Sequence, residues 1–286
     1  MINLYYEESY WGGKMNGPHK VVYNLIKSLE QDNIQFAINE EKYEHNFLVQ
    51  YDHIAHDKHS KIELDTCIIG PQVWLFDIYG QFLIEHQDYY KKIIAPCQWV
   101  KDKFISKFSI PEDKISIWPV GIELLNTKKE VEFDCLIYFK RRTPYELKII
   151  QDFLDSIGLT YKVLSYGNYS NDQLENLCNE CRFCVLINGT ESQGIAVQEI
   201  MSTNTPLFVW DVMEWTDQGE EYKVPATSIP YWSKECGEVF YSRDDIEVAF
   251  SKFYAKIDQY NPRKYVEDNL SFKASVNKLL EIINDR

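Results

Sequence analysis

The stretch from Val185 to Val209, VLINGTESQGIAVQEIMSTNTPLFV, constrains the fold more than any other part of the chain, because it holds strand, loop, helix, turn and strand in one short unit. Val185 to Ile187 follow Cys184 as an apolar run, and Asn188 and Gly189 break it. A helical segment begins at about Gln193 and ends in the turn chemistry of Asn204 and Pro206, after which Leu207 to Val209 make a second apolar strand.

The unit carries two carboxylates, Glu191 in the loop and Glu199 inside the helix, with Gly194 between them at the helix start. A residue without a β-carbon at that point lets an anion approach the unpaired backbone N–H groups and the positive end of the helix dipole, which is a phosphate site. At about 1.5 Å per residue, Glu199 stands roughly 7 to 8 Å beyond Gly194, the reach from a pyrophosphate to the ribose of the same nucleotide. Glu191 lies on the other side of the phosphate point and can accept hydrogen bonds from hydroxyls of whatever the diphosphate carries. The implied ligand is a nucleotide-diphosphate sugar. Two glutamates at this spacing also arise by chance in a chain with 44 acidic residues. It is the conjunction of strand, glycine and Thr-Asn-Thr-Pro turn that makes the pattern specific.

The run Glu191-Ser-Gln-Gly-Ile-Ala-Val-Gln-Glu199 resembles the E-x7-E motif of retaining GT-B glycosyltransferases, family 4 in particular, with Gln193 where that family has an aromatic residue. The resemblance brings Ser192, Gln193, Gly194, Ile195 and Glu199 into the donor site. A second stretch, from Lys92 through Pro96-Cys-Gln-Trp to Pro119-Val-Gly-Ile-Glu123, is similar to the family's strand, helix and strand leading to a P-x-G-hydrophobic-acidic signature.

A chain of 286 residues can form two medium domains, and 45% hydrophobic with 15% aromatic content suits folded ones. A net charge of −14 argues against nucleic acid as the partner. The start, Met1-Ile-Asn-Leu-Tyr-Tyr, lacks the basic and long apolar parts of a signal peptide, and no apolar run approaches about eighteen residues, so a cytoplasmic protein without a transmembrane segment is expected. The seven scattered cysteines suit reduced thiols.

Taken in order, Ile2 to Tyr6 read as a strand, followed by a loop with Gly12, Gly13 and Gly17 and a helix opened by Pro18, so Gly17 can face a ligand. FAIN, NFLVQY and TCIIG read as further strands. Asp52, His53, His56 and His59 between them lack the partners of a zinc motif and read as a solvated loop. The family often has a histidine facing the donor sugar after the strand that corresponds to Cys67-Ile-Ile-Gly; here Gln72 stands at that place. The polar run Asn126 to Glu132 reads as a linker. Beyond it, Phe133 to Phe139 make a strand whose end carries Lys140, Arg141 and Arg142, and in parallel sheets such an end faces the ligand. Arg141 matches the family's arginine. Its lysine five residues on is Glu146 here, so Lys140 or Arg142 is the second cation. Helices are expected over Tyr145–Ile157, over Asn171–Asn179 with Asn171 as cap, and over Asp244–Tyr260, with Trp210 to Trp232 irregular between strands. Cys178, Cys181 and Cys184 read as small buried thiols rather than a metal site, since no fourth ligand lies near.

The expected fold is α/β, GT-B, with two Rossmann-like domains facing across a cleft. Residues 1–125 form the acceptor side and 126–262 the nucleotide-sugar side, while 263–286 are terminal helices crossing back. The resemblance implies a hexosyl- or pentosyltransferase that moves a sugar from a nucleotide-diphosphate sugar to a hydroxyl of a glycan or glycoconjugate. It implies retention, with Lys140, Arg141 and Glu191 at the reacting end and no metal or other cofactor. A GT-B-like nucleotide-sugar epimerase and a non-catalytic nucleotide-sugar-binding subunit remain as alternatives.

Overall fold

The apolar runs form parallel strands in two separate sheets. The computed structural model describes residues 2–6, 17–40, 45–50, 67–72, 85, 90–215 and 224–285, and elements are numbered over these. The chain divides into two compact units, one of residues 1–121 and 272–286 and one of residues 122–271.

The first unit runs β1 (Ile2–Tyr5), α1 (Gly17–Gln31), β2 (Phe36–Ile38), β3 (His45–Gln50), β4 (Cys67–Gln72), β5 (Lys92–Ala95), α2 (Gln98–Phe108) and β6 (Ile115–Ile117), and is completed by the C-terminal helix Phe272–Asn284. Its six strands lie in the order β2-β1-β3-β4-β5-β6, all parallel. Helix α1 forms where the sequence places an apolar stripe, and it buries Val21, Val22, Leu25 and Leu29. Trp118, fully buried, donates its indole N–H to the Ser275 carbonyl at 2.9 Å and so ties the C-terminal helix to this unit. At Gly121 a β-carbon would stand 2.8 Å from the Phe272 Cα, so only glycine allows that approach.

The second unit runs β7 (Phe133–Lys140), α3 (Pro144–Ser156), β8 (Tyr161–Ser165), α4 (Asn171–Glu180), β9 (Cys181–Asn188), α5 (Ile195–Ser202), β10 (Leu207–Trp210), β11 (Glu214–Trp215), β12 (Val224–Pro225), β13 (Gly237–Phe240), α6 (Ile246–Tyr254) and α7 (Pro262–Asn269). Five parallel strands lie in the order β13-β10-β9-β7-β8. Central β7 and β9 are largely apolar and buried over residues 135–138 and 183–188, as strands covered on both faces are. Phe183, Phe208, Phe250 and Phe253 pack ring to ring between sheet and α6, with Phe183 and Phe253 centroids 5.3 Å apart. Helix α3 starts with a capping box, Thr143 accepting from the Glu146 N–H while Glu146 accepts from the Thr143 N–H, with Pro144 in the first turn.

Several expectations are corrected. The unit boundary falls at Gly121/Ile122 rather than after residue 125, because the Ile122 N–H already donates to the Leu270 carbonyl at 2.9 Å. Helix α7 belongs to the second unit rather than to the crossing-back pieces, since Arg263 donates to the carbonyls of Leu125 and Ser202 at 2.7 and 2.5 Å. Residues 126–132 are fastened rather than free: Lys129 donates to the Cys178 carbonyl and the Thr205 hydroxyl, both at 2.6 Å. Ser170, not Asn171, caps α4. The stretch read as irregular holds the two-residue pairing of β11 with β12. The helix expected over Asp244–Tyr260 is broken into a 3-10 turn, α6 and a second 3-10 turn.

Candidate functional site

In the second unit the chain leaves β7 for β8 on one side, then returns to place β9 on the other. Such a reversal opens a crevice beyond the carboxyl ends of the two strands, and ligands of doubly wound sheets bind there. The residues at those two ends are the ones the sequence singles out: Lys140 pairs in register with Asn188, and the Gly189 N–H donates to the Lys140 carbonyl at 2.8 Å. The approach at Gly189 is close, since a β-carbon there would stand 3.1 Å from the Arg141 carbonyl oxygen.

Helix α5 begins at the same crevice. Gly194 precedes it in the left-handed conformation (φ 68°), and no side chain caps it. The first bond within the helix runs from the Gln198 N–H to the Gly194 carbonyl at 3.0 Å, which leaves the N–H groups of Ile195, Ala196 and Val197 without intrahelical partners. Unpaired N–H groups at the positive end of a helix dipole are the chemistry that binds anions. The loop before it is braced from outside: the Glu191 N–H donates to the Thr227 carbonyl at 3.0 Å, and Thr227 and Ser228 are held by the buried Asp211 carboxylate. The loop backbone is therefore fixed before any ligand arrives.

The three cations differ sharply in what they touch. Lys140 forms an ion pair with Glu191 at 2.5 Å, the two side chains only 13% and 12% exposed, and its Nζ lies 4.3 Å from the Tyr166 ring centre. The Asn188 side-chain amide donates through Nδ2 to the same Glu191 oxygen at 3.2 Å, while its Oδ1 is buried without a partner among the described residues. Arg141 is exposed, has φ 53°, and makes no ion pair or side-chain hydrogen bond among the described residues. Arg142 is engaged throughout: its Nε and Nη2 donate to Glu146 at 2.8 and 2.5 Å, and its Nη1 to the carbonyls of Asn188 and Trp210 at 3.2 and 3.1 Å. One guanidinium thus fastens the ends of β9 and β10 to the start of α3. The sequence offers Lys140 or Arg142 as the second donor-site cation; in the structure the Arg142 guanidinium is bonded to Glu146, which stands where the resembled family has a lysine.

Tyrosines complete the wall, and the sequence reading passed over them. Tyr166, 46% exposed, follows β8 directly. Tyr138 and Tyr169 share a hydrogen bond at 2.8 Å with their rings edge to face. Burial pushes the Tyr169 phenol up to about 12 and Tyr138 higher; the charge of Glu191 acts on both, and that of Glu199 on Tyr169. Both phenols are neutral hydrogen-bonding groups at pH 7. Tyr166 was findable, since it stands at a strand end as Lys140 does; the Tyr138–Tyr169 contact joins positions 31 apart and carries no local signal.

Of the remaining expected residues, Ser192 is half-buried, Gln193 and Ile195 are buried, and Glu199 is half-buried on α5. Gly17 is the exposed first residue of α1, in the first unit, and among the described residues no atom lies within 4 Å of where a β-carbon would be. Gln72 ends β4, its side chain outside the described part, as are Gly12, Gly13, Asp52, His53, His56 and His59. Cys178, Cys181 and Cys184 are buried free thiols whose pKa values burial raises. Among the described residues no group of three His, Cys, Asp or Glu side chains is arranged to hold a metal ion, and no helix is long and apolar enough to cross a membrane.

No protein-family model matches the chain, and no curated protein matches it. Solved structures do. The chain is similar to the apo form of the lipopolysaccharide outer core galactosyltransferase WaaB, with TM-score 0.59 and 12% identity over 99% of this chain and 98% of that one. It is similar to sucrose-phosphate synthase from Thermosynechococcus elongatus, with TM-score 0.60 and 10% identity over 98% and 97%. It also resembles a variant of S. aureus TarM in complex with fondaparinux, alpha-GlcNAc-glycerol and UDP, with TM-score 0.56 and 11% identity over 93% of this chain and 59% of that one. At identities of 10 to 12%, what these likenesses establish is architecture: the chain has the GT-B fold of these glycosyltransferases, built from two Rossmann-like α/β domains.

Proposed function

We propose that this chain is a glycosyltransferase that moves a hexosyl or pentosyl group from a nucleotide-diphosphate sugar to a hydroxyl of a glycan or glycoconjugate, with retention and without a divalent metal. The observation that carries the proposal is the uncapped start of α5, which opens at the β7/β9 crevice beside Lys140, Arg141 and Glu191. The three unpaired N–H groups and the two cations stabilise charge on the departing diphosphate, the largest electrostatic demand of such a transfer. Arg141 and Lys140 are the two cations, since Arg142 is spent within the fold. The bond from the anomeric carbon to the phosphate oxygen breaks, a bond to the acceptor oxygen forms on the same face, and the acceptor's proton passes to the leaving phosphate. Glu191 orients the sugar hydroxyls and Glu199 the ribose. The UDP bound in the TarM complex supports a nucleotide ligand in this fold.

Titration of the full chain with UDP, GDP, ADP, CDP and dTDP, followed by incubation of the matching sugar nucleotides in EDTA, tests the reading. Binding of one diphosphate and slow release of free sugar with the donor's anomeric configuration are expected. Failure to bind any of the five, or activity abolished by EDTA and restored by manganese, would count against it.

A further inference from the structure

We propose that the Lys140–Glu191 ion pair is a counter-ion exchange that makes the site hold an intact sugar nucleotide in preference to the nucleoside diphosphate left after transfer. The inference rests on the site reading above and extends it to product release. Two groups with different partners to serve are bonded to each other: the lysine that a diphosphate needs, and the carboxylate that the sugar needs, 2.5 Å apart with little solvent around either. Asn188 holds the same carboxylate oxygen, and the Thr227 carbonyl holds the Glu191 backbone, so the exchange involves side chains and not the loop.

A cation already neutralised by a carboxylate attracts an incoming anion weakly. To take Lys140, a diphosphate must draw it from Glu191, and a mostly buried carboxylate that loses this partner is costly unless other donors replace the ammonium. Sugar hydroxyls at that point do so through charge-assisted hydrogen bonds. The intact donor therefore offsets the cost that it imposes. The free nucleoside diphosphate brings no such hydroxyls, so after transfer Glu191 recaptures Lys140 and the diphosphate leaves. The Tyr166 ring beneath the ammonium keeps it near both partners, a cation–π contact that either arrangement can retain.

The test is calorimetric titration with the nucleoside diphosphate that the wild-type chain binds best, UDP first. Glu191→Gln keeps the shape and the acceptor for Asn188 but removes the charge, so it should bind the diphosphate about tenfold more tightly, whereas Lys140→Met should bind it about tenfold more weakly. In the Lys140→Met background the glutamine should give no gain, because no ammonium is left to release. If Glu191→Gln does not fold, Glu191→Asp, whose carboxylate is drawn back from Lys140, should show a smaller gain of the same sign. Unchanged or weaker diphosphate binding by the folded Glu191 variant, with wild-type binding intact, overturns the exchange and leaves the site reading standing. Absence of binding by the wild-type chain overturns both.

Discussion

Replacing Arg142 distinguishes a ligand-binding cation from a group that fastens the fold. Its guanidinium, with a side chain only 10% exposed, is shared between Glu146 and the carbonyls of Asn188 and Trp210, and lies over the Trp210 ring at 5.2 Å. Arg142→Met breaks a mostly buried ion pair from one side and leaves Glu146 facing an apolar chain, which costs about 3 to 5 kcal/mol. That is a large part of the roughly 5 to 15 kcal/mol by which domains are stable. Arg142→Lys retains the charge but cannot present the planar fork to three acceptors, and loses about 1.5 to 3 kcal/mol. Removing both partners, in Arg142→Met with Glu146→Leu, should cost less than Arg142→Met alone, because no unpaired carboxylate remains. Urea unfolding of the full chain measures these differences, and titration with UDP under native conditions measures binding. The expected pattern is a lowered urea midpoint for Arg142→Lys with diphosphate affinity within about threefold of wild type, under 1 kcal/mol. A wild-type midpoint together with a tenfold or greater loss of affinity would show that Arg142 contacts the donor, and the argument from its internal bonds would be refuted.

Arg141→Gly should do the reverse: relieving a left-handed residue stabilises by up to about 1 kcal/mol, while loss of the open cation weakens UDP binding about tenfold or more, so a parallel fall in both would contradict the assignment. Gly194→Ala places a methyl group 3.5 Å from Pro230, an ordinary contact, so its cost of about 1 kcal/mol comes from the backbone, and the diphosphate should bind more weakly because the methyl stands beside the uncapped N–H groups. The carboxyl of Glu146 feels burial, which raises its pKa, but hydrogen bonds from Arg142 and Thr143 prevail and hold it below the ordinary range. With the folded value depressed, its stabilisation is complete above the unfolded value of about 4.3 and is lost as pH falls through the folded one. The difference in urea midpoint between the wild-type chain and Glu146→Gln should accordingly shrink on acidification from about pH 6 to about pH 3.

The elements of the second unit were legible where one local signal dominated. Strand β7 and helix α3 fall within one residue of the expected bounds, because polar or turn residues bound each apolar pattern on both sides. Strand β9 runs longer than Val185 to Ile187, since its first residues, Cys181 to Cys184, read equally as the end of a helix. Two-residue strands such as β11 and β12 have no periodicity to detect. Ser170 and Asn171 are both good caps, and which one serves depends on where the backbone turns extended. The site was legible as a set of residues and not as a set of contacts. Lys140 and Glu191 are 51 positions apart, and nothing at either position announces the other.

What joins them is strand order, which follows from the whole sheet. With β8 on one flank of β7, the only route by which β9 reaches the other flank brings the Asn188–Glu191 loop over the end of β7, opposite Lys140 and Arg141. The same reversal occurs in the first unit, where β2 and β3 flank β1 on opposite sides. There α1, which begins at Gly17, is the next described element after β1, as α5, preceded by Gly194, is the next after β9. The two glycines differ in what surrounds them. Gly194 has φ 68° with Glu191 and Pro230 close by, whereas no atom of the described residues lies within 4 Å of a β-carbon at Gly17. An anion held at the N–H groups of α5 therefore meets a preformed wall of charge and backbone donors.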